Sequence, residues 1–331
     1  MGNSQTEWFW SKYEEYRSYV NRYIENYLSN LDIPSELRNA SSHLILSGGK
    51  RVRPVFVLSV SELLGGDIEH GLPVATAIEF LHNFTLIHDD IMDQDMFRRG
   101  VKTTHVLYGV STAILAGDYL FSLVFGLVSR NYEGDEARFL TQLLAEASEN
   151  ICIGQAMDIK PDKYVENVDD YIEMVYLKTA SLIEASTASG AVVAGRLDLV
   201  DRFKEMGRSI GIAFQVADDI LGLVGDPSKT GKPVGNDIRN GKRTLPVLYV
   251  LDKMDKDEYD FFMSVFGNEA ADEESVRRAI NLVVKYGGIE YAREFMGEYS
   301  KKAMDVLKDF DDSDAKIFLL NLIEFIVSRD K

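Results

Sequence analysis

Cysteine and proline are scarce in this sequence, and each scarcity excludes a class of structure. The single cysteine, Cys152, excludes an intramolecular disulfide and a cysteine-rich metal site, so we expect it to be a small core residue. Only 7 prolines occur in 331 residues. Because no Ser-, Pro- or Gly-rich linker interrupts the chain either, the sequence favours one continuous domain over residues 1–331.

Positive charge and long apolar runs are also lacking. The formal net charge of −17 argues against nucleic acid and against an anionic membrane surface, since both would repel the chain. No uncharged apolar run approaches the roughly 20 residues that a helix needs to span a bilayer, so we expect no transmembrane segment. The first ten residues have no apolar signal core. We therefore expect a cytoplasmic protein.

The sequence is rich in apolar residues at helical spacing, which make up much of its 46% hydrophobic content. The longest such segments are 72–93, 112–129, 136–157, 168–194 and 200–224. They are apolar over much of their circumference, as buried helices of a bundle are. Alternating strand patterns are nearly absent. The pattern predicts an all-α fold of about a dozen helices.

A first acidic cluster ends one of these segments. Asp89 and Asp93 are four residues apart and share a helix face, and Asp90 is turned by roughly 100° as a supporting ligand. Like charges so placed destabilise a helix unless a cation neutralises them, and oxygen-only ligation suits Mg²⁺. Alone, the cluster fits a solvated acidic helix end equally well, although the helix dipole disfavours acidic residues there.

A second acidic pair, Asp218 and Asp219, lies inside an apolar segment. A buried carboxylate is costly unless it is paired or binds a metal, so this pair is hard to explain as solvated surface. The two clusters are 129 residues apart (218 minus 89). They predict two helices that face each other across a cavity with hard cations between them, an arrangement that fits a diphosphate substrate.

Basic residues occur where an anion site would need them. A Gly-Gly turn at 48–49 runs into a helix start with three cations, and backbone N–H groups and Arg side chains there bind phosphate well, although basic helix starts occur on many surfaces. Lys178 lies within an apolar helix and must have a partner. The loop 225–233 is a candidate lid.

Taken together and in order, these segments form a specific set over residues 45–250. They are Gly48-Gly49-Lys50-Arg51-Val52-Arg53-Pro54, His88-Asp89-Asp90-Ile91-Met92-Asp93, Arg98-Arg99-Gly100, Lys178-Thr179, Phe214-Gln215-Val216-Ala217-Asp218-Asp219, Gly231-Lys232 and Gly241-Lys242-Arg243-Thr244-Leu245-Pro246. The set resembles the trans-prenyl diphosphate synthases (polyprenyl synthetases), most of all the archaeal-type short-chain geranylgeranyl diphosphate synthases.

The resemblance implies an isoprenoid-synthase bundle around a central cavity, usually a homodimer. It implies sequential addition of isopentenyl diphosphate to dimethylallyl, geranyl or farnesyl diphosphate, with two or three Mg²⁺ ions per active site. The metal set that it implies is Asp89, Asp90, Asp93, Asp218 and Asp219. The isopentenyl diphosphate set is Gly49, Lys50, Arg53, His82 and Arg99. The allylic diphosphate set is Arg98, Lys178, Thr179, Gln215, Lys232 and Lys242. The catalytic set is Asp89, Asp93, Asp218, Lys178 and Lys232.

The chain departs from the family pattern at one position. The second aspartate-rich motif usually has an aspartate at its fifth residue, and this chain has Gly222 there. Metal ligation from that position is therefore lost, and Asp218 keeps the ligand role.

Product length should depend on the residues below the first cluster. In this family a bulky aromatic near Phe84 acts as the floor of the chain pocket, with Thr85, Leu81 and Ile78 around and beneath it. One helical turn is about 5.4 Å, close to one isoprene unit. The resemblance thus implies a twenty-carbon product, and the alternative for Phe84 is ordinary core packing.

Other functions remain open at this level. A farnesyl or longer-chain polyprenyl diphosphate synthase carries the same motifs. A terpene cyclase shares the fold, although it needs no second diphosphate site of the kind that the Gly-Gly-Lys-Arg segment and Arg99 imply. An inactive regulatory subunit and a plain helical scaffold are the non-catalytic alternatives.

Overall fold

The segments with helical periodicity form helices in the computed structural model. The structure describes residues 3–225 and 234–327. The first helices are α1 (Asn3–Ser29), α2 (Ser35–Leu46), α3 (Val52–Leu63), α4 (Ile68–Met92), α5 (Thr104–Tyr108), α6 (Val110–Asn131) and α7 (Gly134–Ile159). The middle helices are α8 (Pro161–Tyr164), α9 (Val168–Val175), a π-helical turn (Tyr176–Ala180), α10 (Ser181–Val193), a 3₁₀ turn (Leu197–Leu199) and α11 (Val200–Val224). The last helices are α12 (Asn236–Arg239), α13 (Leu245–Leu251), α14 (Lys256–Val265), α15 (Glu273–Lys285), α16 (Gly288–Asp305) and α17 (Asp314–Val327).

Within the described residues the strands amount to one small hairpin. Strand β1 (Phe97–Arg98) pairs antiparallel with β2 (Val101–Lys102), and Arg98 lies opposite Val101. The prediction of an all-α fold is confirmed. Short helices such as α8 and α12 raise the helix number above the expected dozen, because four residues are too few to produce a periodic pattern.

Two expectations from the sequence differ from the structure. The apolar pattern predicts one helix over 168–194, but the π-helical turn divides this segment into α9 and α10. A π turn adds one residue to a helix and leaves the apolar spacing within the segments on either side intact. Hydrophobic periodicity therefore does not detect it. The expectation that Cys152 lies in the core is wrong, because its side chain is exposed on α7.

The described residues fall into two compact units, each made of several chain segments. The first unit contains the residues up to 148 together with 182–204 and 310–319, and the second contains the remainder. The prediction of a single domain stays a prediction.

The first unit has α4 at its centre. Helix α4 is buried over most of its length and packs against α3 and α6. Asp67 caps its start by accepting a hydrogen bond from the Glu69 N–H at 3.0 Å. Nearby, Phe318 of α17 stacks on Phe9 of α1 with ring centroids 5.3 Å apart. The contacts with α3 and α6 hold α4, which carries the first acidic cluster at its C-terminal end.

The second unit has its own apolar core, to which α9, α11, α13, α14, α15 and α16 contribute. Its fully buried members include Tyr171, Val216, Leu245, Phe262 and Val283. Because α11 presents one face to this core, the position of the second acidic pair along the helix is fixed by packing.

Helix α6 is unusually apolar for a helix that is only partly buried. By length and composition it could cross a membrane, although core helices of soluble proteins meet the same criterion. One side of α6 packs on α4, while Val110, Ile114 and Leu115 are exposed. The prediction of no transmembrane segment therefore stays a prediction.

Candidate active site

The first acidic cluster forms where α4 ends. Asp89 is half-buried, Asp90 is fully buried, and Asp93 is the exposed C-cap residue of α4. The Asp93 N–H donates to the Asp89 carbonyl at 2.8 Å, so the helix continues regularly through the cluster. The predicted four-residue spacing of Asp89 and Asp93 on one face is therefore present.

Arg98 supplies positive charge to this cluster. Its Nε donates to Asp90 Oδ1, and its Nη2 lies 3.5 Å from Asp95 Oδ2 and 3.9 Å from Asp89 Oδ2. Burial raises the pKa of Asp90, and the Arg98 guanidinium opposes that rise. The second oxygen of Asp90, Oδ2, is buried without a hydrogen-bond partner among the described residues. A group of carboxylates that still has acceptor capacity after pairing with an arginine fits a cation.

The hairpin turn sends two successive arginines to different places. Arg99 and Gly100 both have positive φ, 54° and 77°, as the two central residues of a type I′ turn do. While Arg98 meets the acidic cluster, the Arg99 Nη1 donates to the Gly48 carbonyl at 2.5 Å. Arg99 is therefore held beside the Gly-Gly segment in a backbone conformation that non-glycine residues rarely adopt.

The predicted isopentenyl diphosphate residues gather around His82 on α4. Burial and the positive charges of Arg53 and Arg99 lower the pKa of His82 well below its usual value, so the imidazole is neutral. Gly49 lies beside two guanidinium groups, because a Cβ on it would be 3.0 Å from Arg51 Nη1 and 3.1 Å from Arg99 Nη1. The side chain of Lys50 is exposed. The structure thus brings His82, two arginines and Gly49 together in the first unit.

The second acidic pair is divided by burial. Asp219 is buried on α11, where the Tyr171 hydroxyl donates to its Oδ2 at 2.5 Å and the Gln215 side-chain amide donates to its Oδ1 at 2.9 Å. The Thr179 hydroxyl in turn donates to Gln215 Oε1 at 3.0 Å. Both oxygens of Asp219 are therefore occupied, whereas Asp218 is half-buried. This geometry favours Asp218 as the ligand and Asp219 as its support.

Lys178 has the partner that its apolar surroundings require. Its Nζ donates to Asp158 Oδ2 at 2.5 Å. Burial alone would raise the pKa of Asp158, but the charges of Lys178 and the exposed Lys242 hold it below its usual value. The predicted allylic diphosphate residues Lys178 and Lys242 therefore share one acidic neighbour.

Two glycines on neighbouring helices pack directly against the π-helical turn that carries Lys178 and Thr179. A Cβ on Gly154 of α7 would overlap the backbone of Lys178, and a Cβ on Gly211 of α11 would overlap Ala180. Two helices approach the turn closely because these positions have no side chain. π turns inside helices are frequent at functional sites, and this one places Lys178 beside Asp158 and Thr179 beside Gln215.

Three residues near the second acidic pair and Lys178 were missed from the sequence. Asp158 and Tyr171 bind predicted site residues, but each looks like part of an ordinary helix in the sequence. Asp237 is a third case, because a Cβ on Gly222 would overlap its Oδ2. The carboxylate that the motif lacks at position 222 is thus matched by a different carboxylate in the same place, which no local pattern indicates.

Two features bear on the predicted metal and lid. In the portion of the chain that the structure describes, no three His, Cys, Asp or Glu side chains converge to hold a metal ion by themselves. Mg²⁺ takes one or two carboxylates together with waters and substrate phosphates, so the two acidic clusters fit it. Of the candidate lid 225–233, residues 226–233, which include Lys232, lie outside the described residues.

The predicted floor residue Phe84 belongs to an aromatic cluster. Its ring centroid lies 4.8 Å from that of His88 and 5.0 Å from that of Phe121 on α6. Ile78 and Leu81 are fully buried, whereas Phe84 and Thr85 are half-buried. The aromatic contacts fix Phe84 one turn from the acidic cluster.

Comparison with known proteins gives consistent matches over most of the chain. The polyprenyl synthetase family model matches residues 34–283. A short chain isoprenyl diphosphate synthase from Methanocaldococcus jannaschii is 40% identical over 300 residues, which cover 90% of this chain and 91% of that protein. A geranylfarnesyl diphosphate synthase from Aeropyrum pernix is 41% identical over 322 residues, 94% and 99% of the two chains. The crystal structure of geranylgeranyl pyrophosphate synthetase from Pyrococcus horikoshii superposes with a TM-score of 0.91 at 38% identity, covering 98% of this chain and 99% of that one.

The buried Asp219 should make stability depend on pH. Burial raises its pKa to about 7 despite the hydrogen bonds from Tyr171 and Gln215. Because this pKa exceeds that of an aspartate in the unfolded chain, the contribution of Asp219 to the free energy of unfolding should fall as pH rises from about 4 to about 7. Asp219→Asn should remove this loss, so that its stability relative to wild type increases by up to about 4 kcal/mol across that range.

Urea unfolding of both proteins in a metal chelator at several pH values measures the difference. A stability difference that stays constant from pH 4.5 to pH 8 would contradict the raised pKa.

Proposed function

Since the chain belongs to the polyprenyl synthetase family, we propose that it is a short-chain trans-prenyltransferase that adds isopentenyl diphosphate to allylic diphosphates and ends at geranylgeranyl diphosphate. The observation that carries this proposal is the division of cations at the hairpin. Arg98 serves the acidic cluster, while Arg99 serves the Gly-Gly segment with Arg53 and His82. Two cationic groups suit two diphosphates, as chain elongation requires and cyclisation of one diphosphate does not.

The acidic clusters and their neighbouring cations bind the allylic diphosphate. Asp89, Asp93 and Asp218 would hold Mg²⁺, two or three ions in all, with Asp90 and Asp219 as supports. When bound, Mg²⁺ supplies charge neutralisation for the diphosphate leaving group. The remaining sets also stay proposals: Arg98, Lys178, Thr179, Gln215, Lys232 and Lys242 for the allylic diphosphate, and Gly49, Lys50, Arg53, His82 and Arg99 for isopentenyl diphosphate.

The reaction then needs no protein base. The allylic carbon–oxygen bond breaks and its electron pair leaves with diphosphate, which gives an allylic carbocation. The double bond of isopentenyl diphosphate forms the new carbon–carbon bond, and the departing diphosphate accepts the proton that is lost. Lys178, oriented by Asp158, donates to the leaving group as charge develops on it. Apolar helix walls exclude the water that would quench the cation.

The twenty-carbon product rests on Phe84. The Pyrococcus protein is named for that product, whereas the Aeropyrum protein is named for geranylfarnesyl diphosphate, which is longer by one isoprene unit. Phe84 is held by His88 and Phe121, so its ring has little freedom to move aside. A fixed aromatic ring near the acidic cluster supports the shorter limit.

A homodimer accounts for the exposed side of α6. Four apolar side chains are exposed on α5 and α6, namely Leu107, Val110, Ile114 and Leu115. Large exposed apolar surfaces mark interaction sites in soluble proteins. The net charge of −17 disfavours an anionic membrane as the covering surface. A second copy of the chain covers this face, and the enzyme is cytoplasmic.

Turnover tests the function directly. Radiolabelled isopentenyl diphosphate with geranyl or farnesyl diphosphate should give a twenty-carbon alcohol after dephosphorylation. Asp218→Ala should lower kcat by roughly 10²–10³-fold, because a group that stabilises the leaving diphosphate is lost. Asp201→Ala, at an exposed position on the same helix, should keep wild-type activity. Near-full activity of Asp218→Ala would contradict the proposed metal role.

Product length tests the floor. Phe84→Ala opens space beside the acidic cluster and should shift the product distribution beyond twenty carbons, read by chromatography of the dephosphorylated products. Phe84→Tyr keeps a ring at this position and should retain the twenty-carbon limit. An unchanged length in Phe84→Ala would leave Phe84 as ordinary core packing.

The oligomeric state tests the covered face. Leu115→Glu places a charge where α6 would meet the second copy and should give a monomer by light scattering at concentrations where the wild-type chain is a dimer. Val284→Glu, at another exposed apolar position, should remain dimeric. Equal masses for the wild type and Leu115→Glu would place the interface elsewhere.

A further inference from the structure

Arg51 differs from the other cations of the Gly-Gly segment because it is buried. Its side chain is 3% exposed and pairs with Glu79 of α4, which is also 3% exposed, at 2.8 Å. Lys50 is exposed and Arg53 is half-buried. A buried ion pair is reached by neither solvent nor substrate, so Arg51 acts on something other than the substrate itself.

The Arg51 guanidinium joins four parts of the first unit. Besides Glu79, its Nε donates to Asn21 Oδ1 of α1 at 2.9 Å, its Nη2 donates to the Ile45 carbonyl of α2, and its Nη1 lies 3.4 Å from the Gly48 carbonyl. The backbone of Arg51 has φ 55°, a conformation that costs energy in a non-glycine residue. These bonds compensate for that cost and fix the Gly-Gly segment against α4.

Arg99 meets the same segment from the hairpin. Its Nη1 donates to the Gly48 carbonyl at 2.5 Å, and a Cβ on Gly49 would lie 3.0 Å from Arg51 Nη1 and 3.1 Å from Arg99 Nη1. Two guanidinium groups so close repel each other. Glu79 offsets the repulsion, since its charge opposes the lowering of the Arg99 pKa by burial and by Arg51.

We propose that Arg51 and Glu79 are a positioning pair for the second diphosphate, an inference that rests on the proposed function. The pair fixes the Gly-Gly segment and Arg99 relative to His82, which follows Glu79 by three residues and therefore shares its face of α4. Asn83 orients the carboxylate by donating to Glu79 Oε1 at 3.0 Å. Isopentenyl diphosphate binds to groups that this pair holds in place, whereas the allylic diphosphate binds to groups elsewhere.

Glu79→Gln tests the pair with little change in shape. Without the carboxylate, Arg51 and Arg99 repel each other and the Gly-Gly segment shifts. The KM for isopentenyl diphosphate should rise about 10- to 100-fold, as a misplaced binding group predicts, while the KM for geranyl diphosphate stays within about twofold. A purely structural role would lower the melting temperature and leave both KM values unchanged.

Two further variants complete the experiment. Glu62→Gln is the matched control, since Glu62 accepts a hydrogen bond from Tyr16 at 2.7 Å and pairs with Lys12 at 3.2 Å in the same unit but away from Gly48, and its KM values should not change. Arg51→Lys retains the charge, loses the forked geometry and should show the same selective rise to a smaller extent. It carries the test if Glu79→Gln does not fold.

The outcomes separate the two levels of inference. A selective rise in the KM for isopentenyl diphosphate supports the positioning pair. Unchanged KM values, or an equal rise for both substrates, overturn it while the function stands. A wild-type chain that forms no prenyl product overturns the proposed function and the pair with it.

Discussion

Negative charge gathered at two places on helices is the constraint on which the rest of this structure depends. Carboxylates held close together repel one another, and burial increases the cost. The chain meets this cost differently at the two places. Arg98, a full positive charge, compensates Asp90, whereas Tyr171 and Gln215, both neutral, compensate Asp219. The buried carboxylate of the first site is therefore balanced by a charged group, while the inner carboxylate of the second accepts hydrogen bonds from neutral groups.

The hairpin directs two adjacent arginine side chains to two different sets of groups. A type I′ turn reverses the chain within two residues, so Arg98 and Arg99 reach groups that lie apart on the surface of α4 and its neighbours. Arg98 binds carboxylates, and Arg99 binds backbone carbonyl groups of the Gly-Gly segment. This arrangement needs no long connection, and it ties the geometry of one cationic group to that of the other through a single peptide bond.

Much of the fold was predictable from periodicity, because buried helices must repeat their apolar residues. The bounds of α11 agree with the sequence pattern residue for residue. Candidate site residues could be named from the sequence where a motif carries them, as at Asp89, Lys178 and Gln215, and their roles stay predictions. Partners chosen by tertiary packing were not predictable: Asp158, Tyr171 and Asp237 come from distant segments, and nothing local marks them. For the same reason Arg51 and Arg53 look alike in the sequence, although one is buried against Glu79. The predicted meeting of the two acidic helices across a cavity stays a prediction.

The π-helical turn at Tyr176–Ala180 limits how this helix can tolerate the deletion of a residue. A π turn holds one residue more than the α-helix that it interrupts, so deletion of a single residue there would give a regular helix with a better intrinsic geometry. Such a deletion would leave the segments on either side in nearly the same orientation, but it would shift the residues inside the turn by one position. Lys178 and Thr179 could then no longer meet Asp158 and Gln215 together. Insertions and deletions are usually harmless in loops, but in this protein a helix depends on a fixed residue count that its hydrophobic pattern does not reveal.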